Sequence, residues 1–370
     1  MIAAEESRQK NKLRMRLCIG GVGTSTLTQD DAIRDIEALD ELLSRPTVGA
    51  IEAMARLKGD LLILGVGGKM GPTLARMARR ASNAAGIARR IVGVSRFSQP
   101  GLAAQLNDWG IETFASDLLN QNELAGLPDF PNIIYMAGMK FGSSGNPSLT
   151  WAMNVELPSL VCHRFSGANI VAFSTGNVYP LISVTSGGSV ESDPPNPVGE
   201  YAMSCLGRER MFEHHSLTSG IRVSILRLSY AVEMRYGVLV DIAGRVWRGE
   251  AVDLTMGNLV AIWQGDANAF ALQSFDVTSS PARILNITGP EMLSVRQLAH
   301  RFGELLDRKV TFKGSEGGAA LLSNTQRSQE FFGYPSVTLA RVIAWTAEWV
   351  RQDGTTLNKP THFEATDGRF

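Results

Sequence analysis

The sequence is poor in cysteine, in excess charge and in long apolar runs, and each shortage excludes a class of protein. Its 370 residues contain three cysteines, Cys18, Cys162 and Cys205, which is too few for a disulfide framework and gives no paired metal spacing. Basic and acidic residues both number 36, so we expect no nucleic-acid surface. No apolar run reaches the roughly 18 residues of a membrane helix. We therefore expect a cytoplasmic protein that binds neither nucleic acid nor membrane.

The length of the chain exceeds what one compact core usually holds, so we expect two lobes. Residues 1–58 are interpreted as an N-terminal leader, residues 1–29, followed by a helical extension. Residues 59–230 alternate short apolar stretches with helix-length segments, which is the pattern of βαβ units. Residues 231–370 are less regular and form mainly a substrate-binding lobe. The predicted fold class is α/β, a doubly wound parallel sheet of the Rossmann type with a smaller C-terminal lobe.

Six short apolar stretches are the strand candidates of this sheet. They are residues 61–66, 90–96, 111–117, 132–138, 169–175 and 222–229. The closing stretch from Lys359 to Phe370 mixes polar and aromatic residues, and both a disordered tail and a tail docked on the body fit it.

Three glycines, Gly65, Gly68 and Gly71, follow the first predicted strand and precede a helix with Pro72 in its first turn. The first glycine permits a tight turn, the second lets a pyrophosphate approach the backbone, and the third lets the helix pack close to the strand. The helix N-terminus would then face the phosphates. The spacing predicts a dinucleotide site, with Lys69 and Met70 inside the turn and Lys69 as a phosphate contact.

The end of the second predicted strand indicates which dinucleotide binds. An acidic residue there would accept hydrogen bonds from the 2′-hydroxyl of NAD, but the sequence has Ser95 and Arg96. A guanidinium suits a 2′-phosphate, so we expect NADP, whereas an Arg96 that only stacks on adenine would permit NAD as well. Asp117 ends the third strand, where it either reaches the adenine or caps the next helix.

Several residues together resemble one family. They are the glycine turn, Asp117 with Leu118, Ala137 with Gly138, Asn154, "FSTGNVY" at 173–179, Pro197 before Tyr201, and "LRLSYA" at 226–231. The chain is similar to the extended short-chain dehydrogenase/reductases, the NAD(P)-dependent epimerase/dehydratase group, over about residues 60–350. The resemblance implies an enzyme that oxidises or reduces a hydroxyl carbon, often of a sugar. It also implies cofactor contacts from Leu118, Ala137 and Gly138, and a homodimer.

The same resemblance assigns catalytic roles. Tyr201 matches the family's acid/base, and Thr175 matches the residue that orients the substrate oxygen. The family's lysine four residues after the tyrosine is replaced here by Cys205, which as a neutral thiol cannot supply a positive charge. Lys140, after the fourth strand, is the first candidate substitute and Arg208 the second, and a chain without any substitute stays open.

The predicted function is an NAD(P)-dependent oxidoreductase or epimerase that acts on a hydroxyl carbon of a sugar-like substrate or sugar acid. The missing lysine keeps an alternative open, a non-catalytic dinucleotide-binding sensor or scaffold protein.

Overall fold

The helices and strands follow the predicted alternation. The computed structural model describes residues 32–140, 142, 145–359 and 361–365, so the predicted leader lies outside the described residues. The strands are β1 Leu61–Leu64, β2 Ile91–Ser95, β3 Glu112–Ala115, β4 Asn132–Tyr135, β5 Asn169–Thr175, β6 Ile182–Ser183, β7 Arg222–Leu228, β8 Ala231–Val232, β9 Val252–Asp253, β10 Asn258–Val260, β11 Ile262–Trp263, β12 Arg283–Ile287, β13 Met292–Ser294, β14 Phe312–Lys313 and β15 Ala319–Ala320.

Thirteen α-helices connect the strands within the described residues. They are α1 Ile36–Leu43, α2 Val48–Arg56, α3 Gly71–Ala84, α4 Leu102–Asp108, α5 Gln121–Ala125, α6 Pro147–Trp151, α7 Leu157–Arg164, α8 Gly199–Ser219, α9 Val238–Trp247, α10 Gln264–Gln273, α11 Val295–Leu306, α12 Gln326–Phe332 and α13 Leu339–Arg351. A π-helical turn, Ala152–Glu156, joins α6 to α7.

The central sheet has seven parallel strands in the order β12-β7-β5-β4-β1-β2-β3. Each of the six predicted strand regions supplies one of them, and the doubly wound Rossmann fold is confirmed. The seventh strand, β12, comes from the C-terminal third of the chain and was not predicted. Side chains of β1 point alternately to the two faces, where Leu61 and Ile63 join one buried cluster and Leu62 and Leu64 the other.

The elements outside this sheet form two groups. The extension before the sheet consists of α1 and α2, which begin at the side-chain caps Asp35 and Thr47 and pack on α3 and α10. The C-terminal part packs α9, α11 and α13 on one another beside the carboxyl ends of the sheet strands. No helix in the described part of the chain is long and apolar enough to cross a bilayer.

Candidate active site

The turn between β1 and α3 has steric requirements that glycine meets. Gly65 has a φ of +87°, and a Cβ on it would lie 2.6 Å from the backbone nitrogen of Ala137. A Cβ on Gly71 would lie 2.2 Å from the carbonyl oxygen of Val66, so this glycine lets α3 pack against the strand end. At Gly68 the nearest atom would be 3.5 Å away. The turn therefore leaves room above Gly68, beside the start of α3, and a dinucleotide pyrophosphate fits there.

Lys69 leaves this turn towards the C-terminal lobe. Its Nζ donates to the carbonyl oxygen of Ala231 at 2.9 Å and lies 4.7 Å from the ring centroid of Tyr236. Burial lowers the pKa of Lys69 to about 8, and the nearby carboxylate of Glu233 opposes that shift. Lys69 thus links the glycine turn to the segment after β7, and its charge is sensitive to pH near neutrality.

The residues predicted to hold the adenosine part of the cofactor lie at the ends of β2 and β3. Arg96 is exposed just past β2, and Ser95 accepts a 3.4 Å hydrogen bond from the Phe97 amide. Asp117 accepts from the backbone nitrogen of Leu119 at 3.1 Å, and the buried Leu118 contributes to the core. One oxygen of Asp117 is therefore used in a local turn.

Ala137 and Gly138 follow β4 at the edge where the cavity opens. A Cβ on Gly138 would lie 2.1 Å from Nη2 of Arg208 and 2.8 Å from Oδ1 of Asn154. Asn154 stands in the π-helical turn, where its Oδ1 accepts from the Met139 amide at 2.9 Å. Glycine at position 138 thus lets a guanidinium from α8 reach the end of β4.

Tyr201 and Thr175 lie together at the carboxyl end of β5. Tyr201 stands in the first turn of α8, and a hydrogen bond with Thr175 acts to lower the pKa of its phenol. The Thr175 hydroxyl also donates to Oδ1 of Asn177 at 2.9 Å and accepts from the Asn177 amide at 3.2 Å. Thr175 therefore caps a local turn and contacts the predicted acid/base at once.

The phenol of Tyr201 is held in its neutral form. Burial raises its pKa well above the ordinary value, Cys205 adds to the rise, and the charge of Arg208 opposes it. Cys205 is fully buried, and burial raises the pKa of its thiol as well, so it stays neutral. The residue at the family's lysine position therefore gives Tyr201 no stabilising charge.

Two cations stand near this phenol. Lys140 places its Nζ 5.8 Å from the ring centroid of Tyr201, and burial lowers the pKa of Lys140. Arg208 donates from Nη1 to the Phe173 carbonyl oxygen at 2.9 Å and from Nη2 to Oδ1 of Asn154 at 2.5 Å.

Arg208 keeps its positive charge because the pKa of its guanidinium is raised. Burial acts to lower the pKa of this guanidinium, but Cys205, Tyr135 and Tyr201 raise it overall. Its Nε is buried without a hydrogen-bond partner among the described residues. Arg208 is thus a fixed positive charge beside Tyr201, whereas burial lowers the pKa of Lys140 and so favours its neutral form.

One cavity of about 260 Å³ collects most of these groups. Of the predicted site residues, those that line it are Gly65, Gly68, Lys69, Met70, Gly138, Lys140, Thr175 and Tyr201. Those that do not are Gly71, Ser95, Arg96, Asp117, Leu118 and Ala137. The cavity therefore joins the phosphate turn to the catalytic candidates and leaves the adenosine candidates outside.

The sequence reasoning missed other residues of this wall. Among them are Asn177, Ser229, Tyr230, Leu321 and Thr361. Asn177 and Tyr230 stand in motifs that the reasoning quoted, so their position at strand ends was a usable signal. Thr361 comes from the tail, and only its unusual mix of polar and aromatic neighbours pointed to it.

Comparison with known proteins agrees with this geometry. Residues 61–232 match the model of the NAD dependent epimerase/dehydratase family. No curated protein matches the chain in sequence.

Solved structures share the fold at low identity. UDP-glucose 4-epimerase from Thermotoga maritima, with UDP-glucose, is 18% identical over 80% of this chain and 99% of its own, with a TM-score of 0.65. The dTDP-glucose 4,6-dehydratase DesIV from Streptomyces venezuelae, with NAD bound, is 20% identical over 80% of this chain and 97% of its own, with a TM-score of 0.67. UDP-glucuronic acid 4-epimerase from Bacillus cereus, with UDP-glucuronic acid and NAD, is 15% identical over 79% of this chain and 99% of its own, at 0.65.

Proposed function

Residues 61–232 belong to the NAD dependent epimerase/dehydratase family, and from this premise we propose that the chain is an NAD(P)-dependent oxidoreductase or epimerase. It acts on a hydroxyl carbon of a sugar-like substrate or a sugar acid. The observation that supports this function most is the Tyr201–Thr175 pair, which opens into the same cavity as the glycine turn. In this proposal the proton-transfer group, Tyr201, and the glycine turn that binds the cofactor line the same cavity.

The roles of the two hydroxyls follow from their surroundings. The phenol of Tyr201 exchanges a proton with the substrate hydroxyl. Thr175, fixed by Asn177 on one side and Tyr201 on the other, holds the substrate oxygen in line. When bound, the nicotinamide accepts or returns the hydride of the carbinol carbon.

The positive charge that Tyr201 needs comes, in this proposal, from Lys140 with support from Arg208. Lys140 lies over the ring and lines the cavity, so its ammonium stabilises the phenolate as the proton leaves. Arg208 adds a second positive charge, and its guanidinium is held in place by hydrogen bonds to Asn154 and to the carbonyl oxygen of Phe173. Cys205 supplies no positive charge, because burial raises the pKa of its thiol and keeps it neutral.

The cofactor is held by the glycine turn. Gly65, Gly68, Met70 and Gly71 shape the pyrophosphate site, and Lys69 adds a charge to it. Ser95, Asp117, Leu118, Ala137 and Gly138 lie at the neighbouring strand ends and bound the rest of the dinucleotide. The exposed Arg96 favours the 2′-phosphate of NADP, because no acidic residue ends β2.

The test is turnover by the purified protein. With NADP or NAD, a panel of sugars and sugar acids should give one substrate that changes the nicotinamide absorbance or yields an epimer. Tyr201→Phe should lower that rate by about 100-fold or more, the usual scale of general acid–base catalysis. A Tyr201→Phe enzyme that turns over normally would remove the acid/base role from Tyr201.

The strongly raised pKa of Tyr201 favours one other function, a dinucleotide-binding sensor without turnover. Such a protein would bind the cofactor, show no rate with any substrate of the panel, and bind the cofactor equally well after Tyr201→Phe.

A further inference from the structure

The described end of the chain crosses the cleft beside the catalytic pair. Residues 361–365, here called the strap, line three adjoining cavities. Thr361 lines the active-site cavity, His362 and Glu364 line a second cavity of about 680 Å³, and Phe363 lines a third of about 60 Å³. The strap therefore divides a space that would otherwise extend well beyond Tyr201.

Shared walls show that these cavities are neighbours. Tyr236 lines both the active-site cavity and the second cavity. Tyr230 and Leu321 line both the active-site cavity and the third cavity. The strap borders all three cavities, as does the segment from Tyr230 to Tyr236 on the facing wall.

The strap is anchored by polar contacts and by burial. Oδ2 of Asp241 accepts from the backbone nitrogen of Thr361 at 2.8 Å and from its hydroxyl at 2.5 Å. Arg245 donates to Glu364 at 2.6 Å. Phe363 is only 2% exposed, which adds the burial of an aromatic side chain.

The space left on the catalytic side is small. At about 260 Å³ it falls below the roughly 300–1,000 Å³ of pockets that enclose larger ligands. Part of it borders Gly65 and Gly68 in the glycine turn, so the substrate has only the remainder.

The wall of this cavity is positively charged. Lys69, Lys140 and Arg208 line it, whereas no described carboxylate does. An anionic group on the substrate meets attraction on this wall and no opposing acid.

We propose that the strap sets the length of the substrate, so that the site accepts a small carbohydrate acid and excludes a sugar joined to a nucleoside diphosphate. This inference rests on the proposed function and names its substrate class. Thr361 and Phe363 are the specificity-determining residues, because one closes the catalytic cavity and the other fixes the strap in place.

The test compares ligand binding to full-length proteins by calorimetry, with NAD present and absent. The probes are a free hexuronate and UDP-glucose. The wild-type protein should bind the hexuronate and reject UDP-glucose. The double variant Asp241→Ala/Phe363→Ala, which removes two of the three anchors and leaves only the Arg245–Glu364 pair, should bind UDP-glucose at least tenfold more tightly than the wild-type protein does.

The matched control is Asp253→Ala. Asp253 also accepts from the nitrogen and the hydroxyl of one threonine, Thr255, at 2.9 and 2.7 Å, but it lies outside the three cavities. It should reject UDP-glucose like the wild-type protein. If the double variant does not fold, Phe363→Ala alone is titrated, with the same direction expected.

The outcomes separate the two proposals. If UDP-glucose binds equally tightly to the wild-type protein and the double variant, the proposed role of the strap is wrong. The same holds if the variant folds but gains no affinity for UDP-glucose. A wild-type protein that does not bind the hexuronate overturns the small-acid class. Failure of every variant and the wild type to bind NAD or NADP contradicts the proposed function instead, and the UDP-glucose comparison still decides the strap.

Discussion

A neutral thiol at position 205 leaves the Tyr201 phenol dependent on cations from other parts of the chain. Among the cations that line the same cavity as Tyr201 are Arg208 and Lys140, and the Nζ of Lys140 lies 5.8 Å from the ring centroid of Tyr201. A cation favours the phenolate, so removing it raises the pKa of the phenol. We expect Lys140→Met to slow turnover and to move the limb on which the rate rises with pH upward by about one unit. The pH–rate profile measures both.

The control for this variant is Cys205→Ala. The thiol raises the pKa of Tyr201, so its removal should leave that limb in place or move it slightly downward. An upward shift with Cys205→Ala, or none with Lys140→Met, would contradict the assignment of Lys140.

The pKa of Lys69 predicts how cofactor binding depends on pH. Burial lowers it to about 8, so the ammonium of the ligand-free protein loses its proton as the pH rises through that value. Affinity for the dinucleotide should therefore be highest below pH 8 and fall above it, by about ten- to a hundredfold at full deprotonation. Titrations by calorimetry from acid to alkaline pH should show the fall in wild type and a flat profile in Lys69→Met.

Our proposal assigns the preference for NADP over NAD to Arg96. A charge-assisted hydrogen bond to the 2′-phosphate contributes ~1.5–3 kcal/mol, so NADP should bind roughly ten- to a hundredfold more tightly than NAD. Arg96→Ala should remove most of that difference and leave the NAD affinity nearly unchanged. Equal affinities in the wild-type protein, or a tighter NAD complex, would show that Arg96 does not contact the phosphate.

At the scale of the elements, a buried ion pair joins α8 to β7. Arg227 donates to both oxygens of Glu209, at 2.7 Å from Nη2, and to the Tyr179 hydroxyl at 2.7 Å from Nη1. Their side chains are 2% and 0% exposed. Arg227→Met would leave the Glu209 carboxylate buried without its partner, so we expect a loss of about 3–5 kcal/mol in the free energy of unfolding by urea titration.

The matched control is a surface ion pair between Arg90, which directly precedes β2, and Glu112, the first residue of β3. Arg90 bonds Glu112 at 2.8 Å, and both side chains are about half exposed, at 48% and 49%. Arg90→Met should cost about 0–1 kcal/mol. Similar losses in the two variants would mean that the buried pair has no special role in joining α8 to the sheet.

The elements also show what the sequence could predict. Five of the six predicted strands are largely buried, as a strand covered on both faces must be, whereas β3 at the edge of the sheet is mostly exposed. The seventh strand, β12, interrupts its apolar residues with Asn286, which the fold buries to bond the Tyr179 hydroxyl at 2.9 Å. This short strand also lies after residue 231, outside the regular alternation of strands and helices on which the prediction depended, so local reasoning did not find it.

In the candidate site, too, some residues could be predicted from the sequence and others could not. The glycine turn, Thr175 and Tyr201 were predictable because their spacing along the chain fixes their place at the strand ends. Arg208 ranked below Lys140 because helix spacing puts its backbone two turns from Tyr201. Its guanidinium reaches Phe173 and Asn154 beside the end of β4 because Gly138 leaves room, and no local pattern contains these contacts.

At the scale of the whole molecule, an apolar patch on α6 and α8 supports the expected homodimer. Leu149, Trp151 and Met203 are 38%, 38% and 46% exposed, and the two helices pack side by side. Exposed apolar clusters of this kind mark association surfaces. We expect a dimer by light scattering and a monomer for Met203→Glu. The control is Met292→Glu, because Met292 is 49% exposed and lies outside α6 and α8. This variant should remain a dimer.

The strap also has a consequence for the order in which the molecule is made. The central sheet is complete once Ile287 has been synthesised, but the strap begins 74 residues later, 361 minus 287, at Thr361. At roughly 5–20 residues per second this gap lasts about 4–15 seconds on the ribosome. During that interval the nascent chain contains the glycine turn and Tyr201 but not yet the strap, the segment proposed to limit ligand size. The discrimination between ligands that we propose for the strap is therefore acquired only after the sheet and the catalytic pair have been made.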